Sequence, residues 1–182
     1  MIRSIFLISV LLLLAGCGGL DRQRAAQHGP AMVLETWLKN PMKGQRILLD
    51  RNGNQVESAI AERSCEKKSA EIAWVCRVQI QYLYSQSIEN YQENWSVVYA
   101  ESGIPTVRMI RDGLEISGDV SGNVLWLKGK TLIPSEKEKK ASIDLRFYNQ
   151  PSGQVMEKAE FTTLGITVGS YFTQWEKNQA GK

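Results

Sequence analysis

Few side chains in this sequence carry chemistry by type and spacing. It holds three cysteines, Cys17, Cys65 and Cys76, and a single histidine, His28. His28 lies in a polar, small-residue stretch where nothing would hold it against a nucleophile. That removes Ser-His-Asp and Cys-His mechanisms in their ordinary form. Redox cysteines favour Cys-x-x-Cys, and zinc needs more ligands than two distant thiols and one imidazole supply. Asp50, Asn52 and Asn54 have the spacing that opens a calcium loop. Gln55 then stands where that loop needs glycine, and Ala61 where it needs the closing glutamate. Gly118-Asp119-Val120-Ser121-Gly122 is not Gly-x-Ser-x-Gly, and no glycine-rich phosphate loop occurs. A carboxylate pair of the glycosidase kind is defined by geometry rather than by spacing. The sequence therefore assigns no catalytic, cofactor-binding or metal-ligating residue, and the expectation is a body that is not an enzyme.

Cys17 stands apart from the other two cysteines. The chain opens Met1-Ile2-Arg3, and an apolar run from Ile5 to Ala15 follows. That run is too short for a helix spanning about 30 Å of hydrocarbon, which needs roughly 20 residues. A charged start, a short apolar stretch and small residues at its end make a secretory signal. Leu14-Ala15-Gly16-Cys17 resembles the lipobox of bacterial lipoproteins. The resemblance implies cleavage before Cys17, acylation of its thiol and palmitate-type chains in the mature protein. Several acyl chains anchor stably where one holds only marginally. Gly18 follows where lipoproteins retained in the inner membrane of enteric bacteria often carry Asp, so the resemblance implies the outer membrane, with a periplasmic body.

An exported chain matures in an oxidising compartment, where paired cysteines bridge. Cys65 and Cys76 are expected to form a disulfide across a hairpin turning near Ala70 and Glu71, with Trp74, Val78 and Ile80 directed into the core. The formal charge is +3, from 22 basic and 19 acidic residues. Such a balance gives no strong field toward nucleic acid. In Glu136-Lys137-Glu138-Lys139-Lys140 acids alternate with bases, which reads as a solvated loop.

The elements that must position these residues follow from periodicity. Residues 17–29 read as a tether. Ala31–Lys39 reads as a short helix, with Pro30 at its start and Asn40-Pro41 stopping it. Asn52-Gly53 lies between strand-like runs and signals a hairpin. Ile72 to Tyr84 alternates, with Ile72, Trp74, Cys76, Val78, Ile80, Tyr82 and Tyr84 on one face and Arg77, Gln79 and Gln81 on the other. Tyr91, Trp95, Val97 and Tyr99 oppose Gln92, Asn94 and Ser96 in the same way. Residues 117–122 mark a candidate internal boundary. Strands follow at 123–132, 141–149, 155–162 and 166–175, a rhythm that resembles small immunoglobulin-like modules of envelope proteins.

The expected fold is α+β and β-rich: a short N-terminal helix on an antiparallel sheet over 30–117, then a β-sandwich-like or partial-barrel part over 118–177, with one continuous domain as the alternative. The expected function is a non-enzymatic accessory or scaffold subunit of an envelope assembly, anchored in the membrane by lipid and bound to a protein partner. An inhibitor or immunity protein acting on an envelope enzyme is the alternative.

Overall fold

In the computed structural model, which describes residues 29–68, 73–99, 105–133 and 136–178, ten strands follow one another and close on themselves. They are β1 (Met42–Asp50), β2 (Gln55–Lys68), β3 (Ala73–Tyr82), β4 (Ile88–Tyr99) and β5 (Pro105–Arg111). The second half adds β6 (Leu114–Ser121), β7 (Val124–Ile133), β8 (Glu136–Asn149), β9 (Val155–Thr163) and β10 (Ile166–Lys177). Each strand pairs antiparallel with its sequence neighbours, and β1 pairs with β10 from Met42↔Lys177 to Asp50↔Gly169. The signal segment, the lipobox with Cys17, the tether up to His28, the turn at Ala70–Glu71 and Ile72 lie outside the described residues.

This closed barrel corrects the expected fold class. The chain is not a helix on a sheet followed by a sandwich-like or partial-barrel part, and among the described residues no second sheet stands behind the immunoglobulin-like rhythm. Period-two alternation records which face of a strand is wet, and a sandwich and a barrel share it. What separates them is the pairing of the first strand with the last, which no local pattern encodes.

The glycine-bearing stretch at 117–122 is strand for most of its length. β6 pairs through it with both β5 and β7. A Cβ on Gly118 would fall 1.9 Å from the Trp126 carbonyl oxygen, and one on Gly129 would fall 2.3 Å from that of Glu115. These two glycines let adjacent backbones approach in a tightly curved wall, a use of strand glycine that from sequence resembles a linker.

A meander places alternate turns at opposite ends. The turns after β6 and β8 lie at one end, together with the six-residue helix α1 (Leu34–Lys39) that leads into β1. The helix is shorter than the expected Ala31–Lys39. Residues 30–32 run extended across the turns, with Met32 N–H donating to the Gly122 carbonyl and Asn149 Nδ2 donating to the carbonyls of Pro30 and Ala31. Leu34, Trp37 and Leu38 are buried, and Trp37 packs into the barrel against Trp95 and Phe147 at centroid distances of 5.6 and 4.7 Å. This end is closed. The turns after β1, β3, β5 and β9 surround the opposite end, the mouth.

Cys65 and Cys76 face each other across β2 and β3 with their sulfurs 2.07 Å apart. Trp74, Val78 and Ile80 are buried. Tyr84 departs from the expected face: it lies past the end of β3, in the turn, and is exposed. Asp50 does the work of a turn residue, its Oδ1 accepting from the N–H groups of Asn52 and Asn54.

Candidate functional site in the barrel interior

Five charged side chains point into the barrel. Arg46 on β1, Arg63 on β2, Glu93 on β4, Arg111 on β5 and Glu157 on β9 are each less than 8% exposed. Each sits on the core-facing parity of its strand: Gly44-Arg46-Leu48, Ala61-Arg63-Cys65, Tyr91-Glu93-Trp95, Met109-Arg111 and Val155-Glu157-Ala159. The sequence reading missed all five because it recorded only the apolar members of each face. A charge at an inward position of an alternating strand was the available signal, since burying an ion is costly and must be compensated.

Glu157 is held by three donors. Tyr171 OH and Trp175 Nε1 each lie 2.6 Å from its oxygens, and Arg46 Nη2 lies 3.5 Å away. Arg46 Nε donates to Thr173 Oγ1 at 2.8 Å, and its guanidinium stacks 3.9 Å over the Tyr171 ring. Glu93 accepts from Trp95 Nε1 at 2.9 Å and forms a buried ion pair with Arg111, whose guanidinium lies 4.6 Å from the Tyr91 ring centroid. Arg63 is placed differently. It stacks 3.6 Å over Trp37 and 4.8 Å from Trp175, and its Nε and Nη2 have no hydrogen-bond partner among the described residues.

The protonation states follow from this arrangement. Burial alone would raise the Glu93 carboxyl, but the charges of Arg111 and Arg63 and the hydrogen bonds from Trp95 and Arg111 hold it below the ordinary range. Burial pulls Arg63 down to about 10, an effect that Glu93 and Glu157 only partly offset. Burial acts likewise against Arg46 and Arg111. There the acidic groups around them win, Tyr171, Tyr91 and Glu157 for Arg46 and Tyr91 and Glu93 for Arg111, and both stay above the usual arginine range. Burial raises the phenols of Tyr91 and Tyr171. Among the described residues the buried interior holds three arginines and two glutamates.

Toward the mouth these groups border a cavity of about 140 Å³, whose lining includes Arg46, Arg111, Tyr91 and Tyr171 and the acids Glu89 and Asp112. The turns around the mouth carry exposed apolar side chains, among them Leu83, Tyr84, Ile88, Leu164 and Ile166. A second concavity, a trench of about 520 Å³ on the outer wall, runs across β2, β3 and β4. Its sides include Arg77, Gln79, Asn90 and Gln92, part of the amide-rich face expected from the sequence.

Fold and interior together define a ten-stranded up-and-down barrel, closed at one end by a helix and charged within. Residues 11–177 match the family described as "Protein of unknown function (DUF3833)", and the chain belongs to that family. A comparison with curated proteins finds no match. Among solved structures, the chain is similar to an S-type phycobiliprotein lyase from Guillardia theta, with a TM-score of 0.56 and 8% identity over 87% of this chain and 98% of that one. At that identity the likeness speaks for the barrel alone. The expectation that the body is not an enzyme is corrected to this extent: a barrel of this shape occurs in a protein titled a lyase, so the fold gives no ground for that exclusion.

Proposed function

We propose that this chain is an acylated lipoprotein of the outer membrane whose periplasmic barrel holds a small ligand in its mouth, as an accessory subunit of an envelope assembly. The observation that carries the ligand-holding part is the cavity at the open end, walled by the buried Arg46, Arg111 and Tyr171 and the half-buried Tyr91. Ligand sites are concave and lined by apolar and aromatic groups with a few convergent polar ones.

The anchor rests on Leu14-Ala15-Gly16-Cys17 and the outer-membrane address on Gly18. Replacing Cys17 with Ser should abolish lipid labelling and release the protein from the membrane fraction, or leave the precursor uncut. Wild-type labelling of that variant rules the anchor out. For the ligand, native mass spectrometry of the protein released from purified outer membranes should show a discrete added mass that Ile133→Trp, which fills the cavity, removes. A bare mass in both speaks against a resident ligand.

The outer trench favours a second reading, in which the accessory role is exerted through a protein partner seated on β2–β4. A photo-crosslinker at Gln92 should then capture one defined partner in intact cells, while one at Lys158, on another part of the wall, captures none.

A further inference from the structure

We propose that the mouth cavity is a carboxylate site, in which Arg111 and Arg46 receive the acid group of a small organic acid, or of an amphiphile whose apolar part leaves through the mouth. This deepens the ligand-holding reading above and rests on it.

Charge is the first argument. Among the described residues, the buried charges are Arg46, Arg63 and Arg111 against Glu93 and Glu157, which leaves one positive charge in excess there. An uncompensated buried charge is strongly unfavourable. A monoanion in the cavity cancels the excess, a neutral guest leaves it standing and a dianion overshoots it.

Donor geometry is the second. Arg111 spends Nη2 on Glu93, while its Nε is buried without a partner and the residue lines the cavity. That Nε–H remains to donate to a carboxylate oxygen, in a fixed planar geometry that a lysine cannot reproduce. Arg63 does not line this cavity; it sits between Trp37 and Trp175 and adds field rather than contact. Two acids, Glu89 and Asp112, also line the cavity. Glu89 is half-buried and accepts from Tyr82 OH at 2.7 Å, and Asp112 lies in the exposed turn after β5, where water screens it.

Size is the third. A closed apolar cavity of roughly 150 Å³ takes a benzene-sized body, and about 140 Å³ is present here. The walls of Ile133, Leu132 and the Tyr91 and Tyr171 rings suit a hydrocarbon skeleton behind an acid head. A nucleotide or a sugar phosphate does not fit.

The test titrates the full-length acylated chain, held in phosphatidylcholine nanodiscs, by calorimetry. The probes are benzoate and octanoate, with benzamide and octanamide as uncharged partners of the same shape. Both acids should bind at least about tenfold more tightly than their amides. Arg111→Lys should weaken the acids about tenfold and leave the amides unchanged. Glu93→Gln should act in the opposite sense, since it removes the negative charge beside Arg111 and raises the positive excess, so acids bind more tightly. That variant decides the matter if Arg111→Lys does not fold. Equal binding of acids and amides overturns the carboxylate site and leaves a ligand-holding barrel standing. Acid binding unmoved by both variants also overturns it, since the acid then sits elsewhere. Binding of none of the four probes overturns both readings.

Discussion

The two ends of the barrel are built by the same ten strands and filled on different principles. At the closed end Trp37, Trp95 and Phe147 pack edge-on and tilted with centroids within 6 Å of one another, and α1 lies over them. Toward the mouth the filling becomes arginine and tyrosine around a cavity. Between the two lies a layer of ions, part of it fully paired and part of it not. An interior that is only a core has no reason to keep an excess cation, because an apolar residue of similar volume is often as stable or more so. The contrast separates a stabilising end from a receiving end, and it can be tested by breaking each.

The largest effect is expected at the closed end. Trp95 is 1% exposed, touches both Trp37 and Phe147, and donates to Glu93. Trp95→Ala should cost about 3–5 kcal/mol through the cavity it leaves, read as a lowered midpoint in urea unfolding. A variant within 1 kcal/mol of wild type would mean that the helix end is not the stabilising one.

The ion layer should split next. Arg111→Met strands Glu93 with only the Trp95 donor, and breaking a buried pair costs roughly 3–5 kcal/mol. Arg63→Met removes the cation that lacks a direct ion pair, while the methionine can still pack between Trp37 and Trp175. Its cost should be near zero, and a gain in stability is allowed by the same principle. Equal losses from the two would erase the distinction between paired and excess charge.

Acid should act on the paired part. The Glu93 carboxyl lies below its ordinary range when folded, so the unfolded chain takes up its proton more readily. Its contribution is complete above the unfolded value, about 4.3, and is lost as pH falls through the depressed folded value. Unfolding midpoints should fall with pH in that window, and Glu93→Gln should flatten the slope there. A slope unchanged in the variant would place the acid sensitivity elsewhere.

How much of this was legible depends on the range of the signal. Strands, the Asn52-Gly53 turn and the inward set Trp74, Val78 and Ile80 are local properties, and alternation exposes them. Closure is not local: β1 meets β10 across nearly the whole described chain. Gly118 looked like a break because close backbone approach and flexible linking call for the same residue. The charged interior was legible in principle, since Glu93 sits between Tyr91 and Trp95 on a face already recognised as apolar. What parity cannot supply is the convergence of five such residues from five strands, because that requires the barrel.

The smallest effect is expected at the mouth turns, where two hairpins can be compared directly. Asp112-Gly113 joins β5 to β6 with φ of 51° and 72°, and Leu164-Gly165 joins β9 to β10 with φ of 51° and 79°. Both are two-residue connections with positive φ at each position, the geometry that favours Asn-Gly or Asp-Gly. Asp112 meets that preference. Leu164 does not: its Cβ crowds the backbone in the left-handed region, at a cost of roughly 1–2 kcal/mol. Nor does its side chain repay this by packing, because it is 97% exposed. Leu164→Asn should therefore raise stability by about 0.5–1 kcal/mol, since asparagine tolerates the left-handed region better, while Asp112→Leu should lower it by a similar amount. Thermal melts of the two variants measure both. If Leu164→Asn destabilises instead, the exposed leucine makes a contact that this geometry does not contain, and the mouth is more ordered than its turns imply.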